Sequence, residues 1–514
     1  MPSRSKKKDT PTFLGFREPE WIQFLHIPSW LLLILVLIFL FRIPSFFEPF
    51  YYGDEMIYLN LGYAIKHGMT LYRDIHDNKP PLLYFMAALS GNVFWFRALL
   101  TAWMIGTTVA FYKLAKQLFS KNMAVVQASV AAFALLTTLP LLEGQIANAE
   151  IFMIGPVILS FYFLLSRKHT PFWLISSGIL FSIGTLFKMP SMFDIGAIIF
   201  FWLITAAKSK KDIANIIKHT VILTAGFLVP ILLTFLWYAM QGALSDYFVA
   251  AFAQNVGYLS SWRPDDVAKP FLTRNAPLLL RSAIVLGGSV VLWFYKKKLS
   301  KPFIFASLWL LFALFAATLS ERPYPHYLLQ AAPAISLLIG MLIALPTIEQ
   351  SLTVIPLTLV VAAVIAFRFW YYPTFSYYQN FVQFVTQQKD KWEYFDYFSQ
   401  HTKRNYKIAE YLLSTSMPED SVFVWGDSPT IYALSKRLPT VKYVADYHIK
   451  DFTNENDFMN TLSSDPPTFV VILPNASSFG YLHNFVQTNY IYLDQIEGAK
   501  VYKLLSPELS SKLN

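Results

Sequence analysis

The chain has 514 residues, 55% of them hydrophobic, 17% aromatic and only 14% charged. Soluble globular proteins carry about 25% charged residues, so composition excludes a disordered chain, a disulfide scaffold and a conventional cytosolic enzyme. With no cysteine, disulfides and thiol chemistry are excluded as well. The net charge of +10 lies in short basic clusters between apolar runs, which orients helices in a bilayer and does not suggest nucleic acid.

Residues 1–26 form a basic N-terminus, within which Phe13 to Ile27 has the pattern of an interfacial helix, Trp21, Phe24 and Leu25 facing lipid. Crossing about 30 Å of hydrocarbon takes roughly 20 apolar residues. Eleven such runs follow, near 27–47, 94–114, 122–142, 150–166, 171–187, 190–207, 218–239, 276–295, 302–320, 326–346 and 351–371. The first reads as an uncleaved anchor, because Arg42-Ile-Pro-Ser-Phe-Phe-Glu-Pro-Phe offers no small-residue cleavage site. Arg4 to Lys8, Lys113 to Lys121, Arg167-Lys168, Lys208 to Lys218 and Lys296 to Lys301 all fall on one side of this arrangement. The positive-inside rule makes that side cytoplasmic. The expected protein is thus a multi-pass protein of the cytoplasmic (inner) membrane, its N-terminus inside and the chain after 372 outside.

The first outer loop, 48–93, holds the densest chemistry. It reads Tyr51-Tyr-Gly-Asp54-Glu55-Met-Ile-Tyr58, and later Arg73-Asp74-Ile-His76-Asp77-Asn78-Lys79-Pro80-Pro81. Carboxylates beside a membrane lose hydration, which raises their basicity and suits them to take a proton from an attacking hydroxyl. A nearby Lys stabilises a departing phosphate as a point charge. The plainer reading is a solvated loop in which Asp54 caps the following helix. Other outer-face candidates are Glu143, Asn148-Ala-Glu150, Lys188 in Phe187-Lys188-Met-Pro190, and Arg322 with His326-Tyr327 at the tenth span. Each could instead be a snorkelling or interfacial group. No metal-ligand spacing such as His-x-x-x-His occurs. A divalent ion is left open.

From Phe367 to Phe398, 15 of 32 residues are aromatic, which suits an interface belt or an aromatic wall for a ligand. The extracytoplasmic part, 372–514, joins this linker to a small α/β domain. Its expected elements are a helix over Asn405–Ser414 and strands at Ser421–Trp425 (ending in Gly426-Asp427-Ser428-Pro429), Thr440–Val444, Thr468–Leu473, Tyr490–Leu493 and Lys500–Leu504.

Asp54-Glu55 after the first span, Lys79-Pro80-Pro81-Leu82, Asn148-Ala-Glu150 and Pro325-His326-Tyr327 together resemble the bacterial GT-C membrane glycosyltransferases. The branch concerned is that of protein O-mannosyltransferases and lipid A aminoarabinose transferases. The resemblance covers roughly residues 20–370. It implies a polyprenyl-phosphate-sugar donor, a large outer cavity and inversion at the anomeric carbon. On it, Asp54 matches the essential loop carboxylate, Glu55 its neighbour and Lys79 the residue that meets the donor phosphate. The aminoarabinose branch has an acidic residue just before that Lys; here it is Asn78, with Asp77 one position earlier.

The expected fold is therefore a polytopic, GT-C-like helical membrane protein with a small C-terminal α/β domain. The expected function is sugar transfer from the lipid-linked donor to a lipid, glycan or protein hydroxyl. Asp54 and Glu55 are the catalytic candidates. Tyr58, Asp74, Asp77, Lys79, Glu150, Lys188, Arg322, His326 and Tyr327 are the substrate-binding ones. The alternatives are a lipid or solute transporter, which would place charges mid-span, and a scaffold whose outer domain is the working part.

Overall fold

The computed structural model describes residues 12–13, 16–17, 27–257, 270–474 and 476–505. Apolar helices stand where the eleven runs were expected. Among the described residues seven are long enough to cross a membrane: Ser29–Phe47, Val93–Leu118, Ala149–Ser166, Met189–Ala206, Lys210–Met240, Phe271–Tyr295 and Ile348–Ala366. Four are shorter: Met123–Thr138, Pro171–Phe187, Lys301–Ala317 and Ala332–Ala344. The protein is a multi-pass helical membrane protein. Most of the interfacial helix expected over 13–27 lies outside the described residues, within which Thr12–Phe13 and Phe16–Arg17 pair as a two-residue ladder.

Polar side chains start several of these helices. Asn92 accepts the Trp95 amide at 3.0 Å, and Ser209 with Asp212 closes a capping box on Lys210–Met240. Inside, helices that share lipid-like surroundings must attract by close fit, so small residues mark the contacts. A Cβ added at Gly178 would sit 2.1 Å from the Leu223 carbonyl oxygen, and one at Gly226 2.4 Å from that of Ile175. These two glycines let Pro171–Phe187 and Lys210–Met240 touch backbone to backbone.

A buried ionic knot fastens the outer end of the bundle. Arg97, fully buried in Val93–Leu118, binds Glu55 through Nε–Oε1 at 2.6 Å and Nη2–Oε2 at 2.5 Å, and Glu48 through Nη1 at 2.8 Å. Glu55 also accepts the Ala147 amide at 2.7 Å. The Tyr377 hydroxyl donates to Glu48, so the aromatic-rich stretch is packed onto the first outer turn. Arg42 donates to the Thr137 and Gly144 carbonyls, each at 2.7 Å, and so neutralises the carbonyl end of Met123–Thr138.

The small domain builds on Thr402–Thr415 and four strands: β1 (Val422–Trp425), β2 (Phe469–Ile472), β3 (Tyr490–Ile496) and β4 (Ala499–Leu504). Their order is β1-β2-β4-β3, with β1 parallel to β2 and the other pairs antiparallel. The expected strand at Thr440–Val444 is irregular instead. Its apolar side chains Val441, Tyr443 and Val444 are buried, but its backbone pairs elsewhere: the Lys442 carbonyl accepts the His76 amide at 2.8 Å. Across the same seam Asn60 Nδ2 donates to the Pro429 carbonyl at 2.8 Å, and Lys436 Nζ to the Gly91 carbonyl at 2.9 Å. The small domain is thus docked on the first outer loop.

Breaking a buried ion pair from one side costs about 3–5 kcal/mol, because a charge is left unpaired. Arg97→Met strands two carboxylates and is expected to lower the melting temperature of the detergent-solubilised protein strongly. Arg97→Lys recovers only part, having no bidentate fork. An unchanged melting temperature in Arg97→Met would refute the knot's structural role.

Candidate active site

Three pieces of the outer loop converge. The loop helix, Gly53–Lys66, places Asp54 and Glu55 in its first turn, where carboxylates are favoured by the helix dipole. Pro80-Pro81 then fixes the backbone ahead of the return helix, Leu82–Ser90. A Cβ at Gly62 would lie 2.5 Å from the Ala88 amide nitrogen; its absence lets the loop and return helices close on each other. The Lys79 backbone between them is pinned on both sides, its carbonyl accepting from Tyr72 at 2.8 Å and its amide donating to the Tyr84 hydroxyl at 3.2 Å. Asn255 holds the Asn78 carbonyl at 2.8 Å.

The result is a cation between two carboxylates. Lys79 Nζ lies 3.8 Å from Asp54 Oδ2 and 3.5 Å from Asp77 Oδ2, and 5.0 Å from the Tyr58 ring centroid. The Tyr58 hydroxyl donates to Asp54 Oδ2 at 2.9 Å. Asp54 accepts no backbone amide among the described residues, so it is not the cap of its helix. On the far side His448 of the small domain brings Nε2 to 3.8 Å from Asp77 Oδ1.

A second polar cluster comes from later outer turns. His326 bonds through Nδ1 to Glu143 and lies with Nε2 at 3.7 Å from Glu150. Tyr52 donates to the same Glu143 oxygen at 2.9 Å. Glu143 has a left-handed backbone, φ +57°, an uncommon conformation for a non-glycine residue. Lys188 pairs with Glu150 and stands 3.9 Å from the Tyr327 ring centroid. Tyr52 stands at the start of the loop helix, two residues before Asp54, and its hydrogen bond to Glu143 joins the two clusters.

Exposure separates the roles. Asp54, Lys79 and Lys188 keep 33%, 19% and 16% of their side-chain surface. Asp77, Glu143, Glu150 and His326 keep 6% or less and act as supports. Glu55 is turned into the Arg97 knot, away from the open side. Asp74 pairs with its neighbour Arg73 at 2.7 Å and caps the Thr70 amide, outside the cluster. Arg322 is exposed on the segment leading to His326. Sequence reasoning did not single out His448, whose only sequence signal is a histidine in a soluble segment. Among the described residues no group of three or more His, Asp or Glu is arranged to hold a metal ion.

Burial works to raise the Asp54 carboxyl, but Lys79 and then His326 outweigh it and hold it below its ordinary value. For Asp77 burial again raises, while Lys79, His448 and the Asn78 amide prevail, leaving it at about 2. A carboxyl lowered on folding contributes stability that is complete above its unfolded value, about 3.9, and fades as pH falls through the folded one. The melting-temperature loss caused by Asp77→Asn is therefore expected to stay constant from pH 8 to pH 5. A loss that shrinks within that window would contradict the Lys79–Asp77 pairing.

Comparison with known proteins sets this geometry in context. Residues 78–260 match the family described as dolichyl-phosphate-mannose-protein mannosyltransferase, and residues 402–505 the family described as the Ccs4 C-terminal domain, of a competence-induced protein. No curated protein matches the chain. The crystal structure of ArnT from Cupriavidus metallidurans bound to undecaprenyl phosphate is 13% identical, with 93% of this chain and 98% of that one covered and a TM-score of 0.56. The apo form gives 13%, 92%, 97% and 0.53. Archaeal oligosaccharyltransferase AglB from Archaeoglobus fulgidus, with an inhibitory peptide and a dolichol-phosphate, is 13% identical over 95% of this chain and 75% of that one, TM-score 0.44. The resemblance read from the outer-loop motifs is borne out: this chain has the GT-C membrane fold that ArnT shows.

Proposed function

We propose that the protein transfers a sugar from a polyprenyl-phosphate-linked donor to an acceptor hydroxyl on the outer face of the cytoplasmic membrane. The observation that carries this is the Asp54–Lys79 contact at 3.8 Å. A carboxylate and an ammonium, both still accessible, stand side by side at the outer end of a helical bundle. The fold likeness and the mannosyltransferase family match support it.

In this reading Asp54 takes the proton of the acceptor hydroxyl as that oxygen bonds to the anomeric carbon. The bond from that carbon to the phosphate oxygen breaks, and its electron pair leaves with the lipid phosphate. Lys79 and Lys188, with Arg322 nearby in the chain, balance the charge that develops there. Tyr58 orients Asp54, and buried Asp77 orients Lys79. A single displacement, in which the acceptor oxygen attacks as the phosphate oxygen leaves, inverts the anomeric carbon. The His326 cluster holds Lys188 through Glu150, and Tyr327 lies under its ammonium. The N-terminus would be cytoplasmic and the small domain extracytoplasmic, as the basic loops imply.

A transporter would need charge in mid-bundle. Asp194 is the buried acid of that kind, and it is tied to neutral donors, Trp309 at 3.1 Å and Gln330 at 3.0 Å.

Membranes carrying the wild-type protein are expected to transfer label from a polyprenyl-phosphate-sugar panel. Asp54→Asn should lose about 10²–10⁴-fold in rate, the usual worth of a positioned base. Lys79→Met should weaken undecaprenyl phosphate binding as well as rate. Wild-type transfer equal to that of Asp54→Asn at matched expression would remove Asp54 as the base.

A further inference from the structure

The small domain does more than cover the seam. Its turn Gly426-Asp427-Ser428-Pro429 leaves β1 and meets the loop helix six residues past Asp54, where Asn60 donates to the Pro429 carbonyl at 2.8 Å. Gly426 sits at φ +131°, and a Cβ there would lie 2.8 Å from the Leu473 side chain, so the turn leaves β1 at one fixed angle. Ser428 is 3% exposed and its Oγ has no partner. Asp427 is exposed between these two fixed points. Among the described residues its carboxylate makes no hydrogen bond and no ion pair, and its turn is held against the loop helix that carries Asp54.

Beside this turn a cavity of about 470 Å³ opens in the small domain, lined by Trp425, Lys450, Asn454, Glu455, Phe458 and Phe479 among others. Lys450 on the cavity wall has Nζ 2.8 Å from Asp446 and 5.6 Å from the ring centroid of Trp425, the residue that precedes the turn. Trp425 and Phe479 stand 5.3 Å apart at 38°. The Phe479 ring and the edges of the buried Trp425 and Phe458 rings, with an ammonium, an amide and a carboxylate, suit a ligand that has apolar C–H faces and hydroxyl edges.

We infer that the small domain is the acceptor site, in which a carbohydrate held by the Trp425–Phe479 cavity presents a hydroxyl past Asp427 to Asp54. The inference rests on the glycosyltransferase reading above and adds the acceptor class to it. Asp427 accepts a hydrogen bond from the acceptor and orients it, while Asp54 takes the proton.

The test uses the full-length protein in detergent, with the donor panel and three acceptors: a cell-wall oligosaccharide, a glycolipid and a serine- and threonine-containing peptide. The expected result is transfer to the oligosaccharide. Asp427→Asn, and separately Glu455→Ala, raise the acceptor KM about tenfold or more, the worth of one lost hydrogen bond to a charged group, and Phe479→Ala raises it through the lost ring contact. Donor KM and the thermal shift by undecaprenyl phosphate stay at wild-type values, and Asp427→Glu restores part of the acceptor affinity. If Asp427→Asn does not fold, the two cavity variants carry the same reading. Wild-type acceptor KM in the variants overturns the acceptor site and leaves the glycosyltransferase reading standing. Transfer confined to the glycolipid or the peptide overturns the carbohydrate class. Absence of wild-type transfer from every donor overturns the glycosyltransferase reading itself, and this inference with it.

Discussion

The ammonium of Lys79 organises the outer end of this molecule. It stands between Asp54 and Asp77, and a half-buried cation of this kind persists only where opposite charge and fixed backbone hold it. Everything around it serves that placement. Tyr72 and Tyr84 clamp its backbone, and the close approach at Gly62 brings its two flanking helices together. His448 borders Asp77 from the small domain. In the proposed transfer a phosphate arriving from the open side would meet a positive charge already oriented, with little reorganisation left for the reaction.

Parts of this were legible in the sequence. Membrane spans depend on a run's length and apolarity alone, which a single stretch of chain declares. Asp54 and Lys79 stood out because each sits in a compact motif, Asp54-Glu55 and Lys79-Pro80-Pro81, within the loop densest in ionisable groups. Glu55 misled because adjacency in sequence says nothing of direction. Consecutive helix residues point about 100° apart, and that rotation carries Glu55 to Arg97 while Asp54 faces Lys79. Thr440–Val444 misled for a related reason. Its alternation reports burial, but not whether its amides and carbonyls find a sheet or a loop. The contributions of His448 and Asp427 depend on contacts between distant segments, which no local pattern encodes.

The buried polar clusters differ in kind. The Arg97 knot satisfies its charges internally and exposes none of them, so it fixes shape. The Lys79 and Lys188 clusters each leave a partly accessible cation beside a buried carboxylate, and the Lys79 cluster leaves the Asp54 carboxylate accessible as well. That unfinished balance distinguishes a binding surface from a structural bridge.

The seam hydrogen bond from Asn60 to the Pro429 carbonyl joins residues 369 positions apart. Chains emerge at about 5–20 residues per second, so the loop helix waits roughly 20–70 s for its partner to be synthesised. Until then the site has neither the Asp427 turn nor His448 at its border. Completion of the site is therefore tied to synthesis of the small domain, and a chain stopped before residue 426 would carry the membrane bundle without a finished site.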